Sequence, residues 1–181
     1  MSYDIFIFRP KSGVSPEWIN RFLESEEAND ENADPEDIEA RYIDMDIDRD
    51  ELSALVAAPL IYALSNQEFT QEEIDAYLED PEFGTELSDC MDMALEYHEG
   101  HQIMAAITYG ERGIEDRLWE AFEELYHRGL LVHDPQVGRI LDMRDDREEF
   151  VETFKECCET FDDDITDMES NYEDDLDDDM E

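Results

Sequence analysis

The sequence predicts one α+β domain over residues 1–161, followed by a flexible acidic tail over 162–181. The expected architecture is a small sheet of about four strands with helices packed around it. Three observations carry this reading. Short β-prone runs recur at 3–8, 102–109, 130–133 and 139–142. Around them, apolar residues return at helical spacing. After Phe161 the apolar pattern gives way to 12 acids among 20 residues with no base, a composition that cannot bury a core of its own.

The chain opens with the strand at 3–8. Ser15 then stands as an N-cap with Pro16 at the first helical position, and Val14 faces Ile19 as a hydrophobic staple. Trp18, Ile19, Phe22 and Leu23 give that helix its apolar side. Residues 24–37 are polar and acidic, a loop in which Asp34-Pro35 marks the start of a short helix. From 41 to 48, Tyr42, Asp44, Asp46 and Asp48 alternate with Ile43, Met45 and Ile47. Period two makes this an edge strand or an extended segment with one row of carboxylates facing water. Residues 51–58 form a helix that Pro59 interrupts or kinks, and 60–64 resume it. Thr70-Gln71-Glu72-Glu73 is a capping box, with Phe69 and Ile74 at the staple positions. A further helix is expected over 86–98, with Leu87, Met91, Ala94 and Leu95 inward and Gly100 as its stop.

The best-specified stretch is 102–143. Both faces of its first strand are mostly apolar, which suits a covered strand. Gly110 and Gly113 bracket a turn. From Ile114 the period changes, and Leu118, Phe122 and Leu125 line an amphipathic helix that ends at Gly129. Asp134-Pro135-Gln136-Val137-Gly138 is a turn between two short strands. If the strands at 102–109 and 130–133 run parallel in one sheet, the helix between them is a right-handed crossover. Phe150, Phe154, Cys157 and Phe161 then make a last apolar stripe, a C-terminal helix docked on the body.

Charge is the dominant compositional fact. There are 55 Asp and Glu against 12 Lys and Arg, a formal charge of −43. From Asp145 onward the chain has 19 acids and two bases, so most of the excess, a net −26, lies in residues 1–144. Such a field repels nucleic acid and anionic membranes and attracts basic proteins. Solubility explains a smaller excess, of roughly 2–8 charges. Adaptation to high salt is the competing explanation, and the presence of only two lysines fits it. The plentiful Phe, Ile and Met fit it less well. The first residues lack the basic region and apolar core of a signal peptide. Three cysteines, Cys90, Cys157 and Cys158, make no disulfide framework. A cytoplasmic location without membrane insertion is expected.

Candidate sites are few. Asp162, Asp164 and Glu173 match a calcium-loop spacing, but Asp167 stands where the loop needs glycine. Asp44-x-Asp46-x-Asp48 begins the same way and fails at Arg49 and Leu55. His98 and His101 near Cys90 suggest a metal, yet a fourth ligand is lacking. His133-Asp134 has the residue types of a general base, but a lone histidine before a proline turn is more often structural. No nucleophile signature or phosphate-binding glycine loop is present. Cys157 lies on the apolar stripe and reads as core.

The acids remain. Glu72, Glu73, Asp75 and Glu79 on one predicted helix, Glu115, Asp116, Glu120, Glu123 and Glu124 on another, and Glu148, Glu149 and Glu152 on the last form candidate partner-binding rows. The last helix over 145–161 has a net −5 across roughly 25 Å. That is sparser than the ~3.4 Å per charge of one DNA strand, so a single element is a poor mimic and several together are a better one.

Ser-Tyr-Asp-Ile-Phe-Ile-Phe at the start and Leu-Leu-Val-His-Asp-Pro-Gln-Val-Gly-Arg later resemble a group of small bacterial proteins. These open with a Ser-Tyr-Asp strand and close with a helix running into an Asp-Pro-Gln turn. The resemblance covers residues 2–8 and 103–141 and implies no activity. The function expected from the residues is non-enzymatic. The protein would bind and inhibit or regulate a basic protein, one that itself binds nucleic acid, with DNA mimicry as the means and without binding nucleic acid directly. The alternative is an immunity-type or ligand-binding module whose charge is incidental. No cofactor or metal is expected.

Overall fold

A computed structural model describes residues 2–30, 32–64, 93–98, 101–108 and 114–158. The elements in chain order are β1 (Ser2–Phe8), α1 (Pro16–Leu23), α2 (Pro35–Glu39), α3 (Arg49–Leu64), β2 (Met93–His98), β3 (Gln102–Thr108), α4 (Glu115–His127), β4 (Leu131–Asp134) and β5 (Arg139–Ile140). A last helix, α5, covers 147–158. The capping box at 70–73, the turn at 110–113, Cys90, Phe161 and the tail at 162–181 lie outside the described residues, as do Glu72, Glu73, Asp75 and Glu79.

The fold is α+β. Its sheet has five strands in the order β2-β3-β1-β4-β5, the fifth only two residues long. Every neighbouring pair is antiparallel. The strands at 102–108 and 131–134 are therefore parallel to each other, but β1 lies between them, so α4 connects two strands that do not pair.

Period two sorts β1 onto two cores. Tyr3, Ile5 and Ile7 are buried on one face with Ile103, Ala105, Ile107 and Val132, under α3, α4 and the aromatics of α5. Phe8 lies on the other face with Leu131 and Ile140, under Ile19 and Phe22 of α1 and the pair Tyr42 and Ile43. Burial of each such side chain stabilises by roughly 1.5–3 kcal/mol, so both faces hold the sheet.

Local chemistry sets the helix ends. The Ser15 hydroxyl accepts the N–H of Trp18 at 3.3 Å, and Asp34 caps α2 through Glu36. At the end of α4, Gly129 has φ 83°, and the N–H groups of Gly129 and Leu130 reach the carbonyls of Tyr126 and Leu125. That is the Schellman pattern the glycine predicted. Pro59 does not divide α3, which runs 16 residues through it. Its missing N–H deprives the Leu55 carbonyl of a helical donor, and Arg128 of α4 donates to that oxygen at 3.3 Å instead.

Two expectations are corrected. Residues 93–98 are a strand, not the end of a helix over 86–98. Met, Ala, Leu and Glu favour helix intrinsically, but six paired positions on β3, from Met93 opposite Ile107 to His98 opposite Gln102, override that preference. Residues 41–48 do not form a strand. Only Ile43 bridges, to Pro10. Tyr42 and Ile43 are adjacent and both buried, so the period-two pattern does not govern this segment.

Candidate functional site

The acids on α4 and α5 are organised by a 100° step per residue. On α5, Phe150 and Phe154 point into the core. Glu148, Glu149, Glu152 and Glu156 fall within about 100° of arc on the opposite, exposed side. On α4, Asp116, Glu120, Glu123 and Glu124 share the exposed arc. Glu115 does not belong with them. It lies about 100° away, toward Trp119 and Phe122, and is 8% exposed. Its carboxylate pairs with Lys155 at 3.1 Å. The expected place of Glu115 on the exposed row is thus corrected: it ties α4 to α5.

A second pair crosses that seam, and others tie α5 and the segment before it to β5 and α1. Arg147 meets Asp116 at 2.7 Å. Arg139 of β5 donates to Asp146 at 2.8 Å and also holds Glu149. Arg144 pairs with Asp142 at 2.5 Å and with Glu17 of α1 at 3.2 Å. The hydrogen bonds it donates to Asp146 and Glu149 raise the Arg139 pKa above its ordinary value, and the bond donated by Arg144 holds Asp142 below its own. Arg139, Arg144, Arg147 and Lys155 are therefore each paired within the molecule. Glu120, Glu123, Glu148 and Glu152 carry no ion pair among the described residues. A shallow groove of about 810 Å³ runs along α5, lined by Arg144, Arg147, Glu148, Val151, Glu152 and Lys155 among others.

Among the described residues, Asp134 and the Asp44–Asp48 run hold local structure. Asp134 is fully buried. Tyr3 Oη donates to it at 2.5 Å, and the N–H groups of Gln136 and Val137 at 2.8 and 3.1 Å. It thus orders the Asp-Pro-Gln turn. Burial pushes its carboxyl up against these hydrogen bonds. His133 sits on the opposite face, its ring 6.2 Å from that of Phe6, and burial lowers its pKa. Neighbours in sequence on opposite sheet faces do not make an acid–base pair. Asp44 accepts the N–H of Asp46, and Asp48 those of Asp50 and Glu51, so the Asp-x-Asp-x-Asp run caps turns. Among the described residues, no three His, Cys, Asp or Glu side chains group to hold a metal. No helix among them is long and apolar enough to cross a membrane. Cys157 and Cys158 are half-buried thiols.

No protein-family model matches the chain, and no curated protein or solved structure matches it significantly.

Proposed function

We propose that this is a non-enzymatic acidic protein that binds a basic, nucleic-acid-binding protein and inhibits or regulates it by presenting carboxylates in place of phosphates. One observation carries the reading. Arg139, Arg144, Arg147 and Lys155 are each paired with carboxylates of the molecule itself, while Glu120 and Glu123 on α4 and Glu148 and Glu152 on α5 have no ion pair among the described residues. On α5, Glu149 is held by Arg139, while Glu148 and Glu152, one turn apart at about 6 Å of helix rise, are exposed carboxylates without an ion pair among the described residues. That is sparser than the ~3.4 Å per charge of a DNA strand, so the reading needs the exposed acids Glu120 and Glu123 of α4 together with them. Surface carboxylates of this kind supply steering and salt-sensitive affinity.

The test uses the full chain, immobilised, in a bacterial lysate. Basic proteins should be retained at about 50 mM salt and largely released by about 200 mM, and added duplex DNA should displace them. A variant with Glu120, Glu123, Glu148 and Glu152 changed to Gln should retain less. Retention that ignores salt, duplex DNA and the four substitutions would overturn the proposal and leave the charge incidental.

A further inference from the structure

An exposed sheet edge pairs readily with another chain, because its outward N–H and C=O groups have no partner. Strand β5 ends this sheet, beyond β4. Along an antiparallel edge strand, successive residues alternate between bonding the neighbour and facing outward. Leu141 bonds the neighbour, its N–H reaching the Val132 carbonyl of β4 at 2.9 Å. Ile140 and Asp142, on either side of it, therefore turn their backbone groups outward, toward the place of a further strand.

That place is filled by side chains. The Asn20 amide of α1 donates to the Ile140 carbonyl at 2.9 Å and accepts the Ile140 N–H at 2.8 Å. One side chain thus supplies both the donor and the acceptor that an added strand would bring. Two residues on, the Asp146 carboxylate accepts the Asp142 N–H at 2.8 Å and is itself held by Arg139. Asn is a weak helix former, yet Asn20 sits inside α1, between Ile19 and Phe22, which seat that helix in the second core. The amide is therefore held at the edge by a packed helix.

Edge pairing between two copies is opposed a second way, by a net charge of −43. That repulsion reaches ~10 Å at 0.1 M salt and ~3 Å at 1 M, whereas a hydrogen-bonded seal on the edge depends little on salt. Ionic strength therefore separates the two barriers. We infer that Asn20, backed by Asp146, closes the β5 edge against strand addition by a second copy of this chain, and keeps the copies apart when salt screens their charge. The inference does not depend on what the carboxylates of α4 and α5 bind.

The test compares the full chain with Asn20→Ala and Asn20→Lys by sedimentation at about 0.1 M and about 1 M salt, and follows amide hydrogen exchange at Ile140 in each. Both variants lose the amide, but a lysine still blocks an edge. In the native chain the Ile140 N–H should exchange slowly although it lies on an edge strand. In both variants it should exchange about tenfold faster or more, while Leu141, bonded to Val132, changes little. Asn20→Ala should associate at about 1 M salt and not at about 0.1 M, and the native chain and Asn20→Lys at neither. Association of both variants alike, or of the native chain along with Asn20→Ala, means that a weakened fold or another surface joins the copies, and overturns the inference. So does an Asn20→Ala chain that frees the Ile140 N–H and stays monomeric at both salts. Fast Ile140 exchange in the native chain overturns it even where a variant fails to fold.

Discussion

Arg128 does two things at once, and a double-mutant cycle separates them. Its Nη1 donates to the Leu55 carbonyl that Pro59 leaves without a donor, and its Nε holds Glu124 at 2.9 Å. Arg128→Met keeps the aliphatic stem and removes both. A hydrogen bond from a charged donor contributes ~1.5–3 kcal/mol. This one is long, at 3.3 Å, and the side chain is 33% exposed, so about 1 kcal/mol is the expected loss. The exposed pair with Glu124 adds ~0.3–0.5 kcal/mol. Pro59→Ala restores an N–H at the position that should donate to Leu55 and relieves the ring, a gain of up to ~3 kcal/mol less the packing of the buried ring. In that background Arg128→Met should cost only the Glu124 pair. The coupling is then ~1 kcal/mol, above the ~0.3–0.5 kcal/mol scatter of independent sites. Urea unfolding at fixed ionic strength measures all four corners. If Arg128→Met costs the same in the native and the Pro59→Ala backgrounds, the carbonyl contact contributes nothing and the reasoning fails.

Two further outcomes test the core. Phe150 is fully buried against the rings of Tyr3, Trp119, Phe122 and Phe154, with centroids 5.1–6.1 Å away. Phe150→Ala should lower the unfolding free energy by ~3–5 kcal/mol, and a loss under ~1 kcal/mol in urea titrations would place α5 outside the cooperative core. Asp134 tests which influence wins on a buried carboxylate. Burial raises its pKa, above an unfolded value of ~3.9. The stability it contributes is then full below about pH 3.9 and is lost as pH rises through the folded value. The stability of the native chain relative to Asp134→Asn should therefore fall as pH is raised from about 4, and the opposite slope would mean that the bonds from Tyr3, Gln136 and Val137 outweigh burial.

Local chemistry was the legible part of this fold. Ser15-Pro16, Gly129 and the turn after Asp134 act through neighbours a few residues away, and each stands where sequence placed it. Strand β2 was not legible, because its residues favour helix and its partner on β3 is what makes it a strand. The pairing of β1 with both β3 and β4 was hidden for the same reason, since no local pattern records which strand takes the centre. Of the site, the exposed stripes on α4 and α5 followed from helical spacing. The same spacing held the signal for Glu115, one step of 100° from Asp116 toward Trp119, which a count of acids per helix passes over. The ion pairs between elements had no sequence signal, because Lys155 and Glu115 are far apart along the chain and meet only when the two helices pack.

Those pairs bear on why the protein is so acidic. Carboxylates kept only for solvation need no particular partner for the few cations present. Here Arg139, Arg144, Arg147 and Lys155, close together in sequence, engage carboxylates within the segment and beyond it on α1 and α4. They fasten the flanks of α5 while the middle of its outer stripe, Glu148 and Glu152, is left without a counter-ion among the described residues. An added salt would screen the exposed stripe first and the partly buried Glu115–Lys155 pair least. Partner binding through the stripe should thus weaken at salt concentrations that leave the fold intact. High-salt adaptation orders the effects differently, with the fold itself gaining stability as self-repulsion is screened and no ligand involved. The two explanations of the same carboxylates part at moderate ionic strength, where the first loses a partner and the second gains a more stable chain.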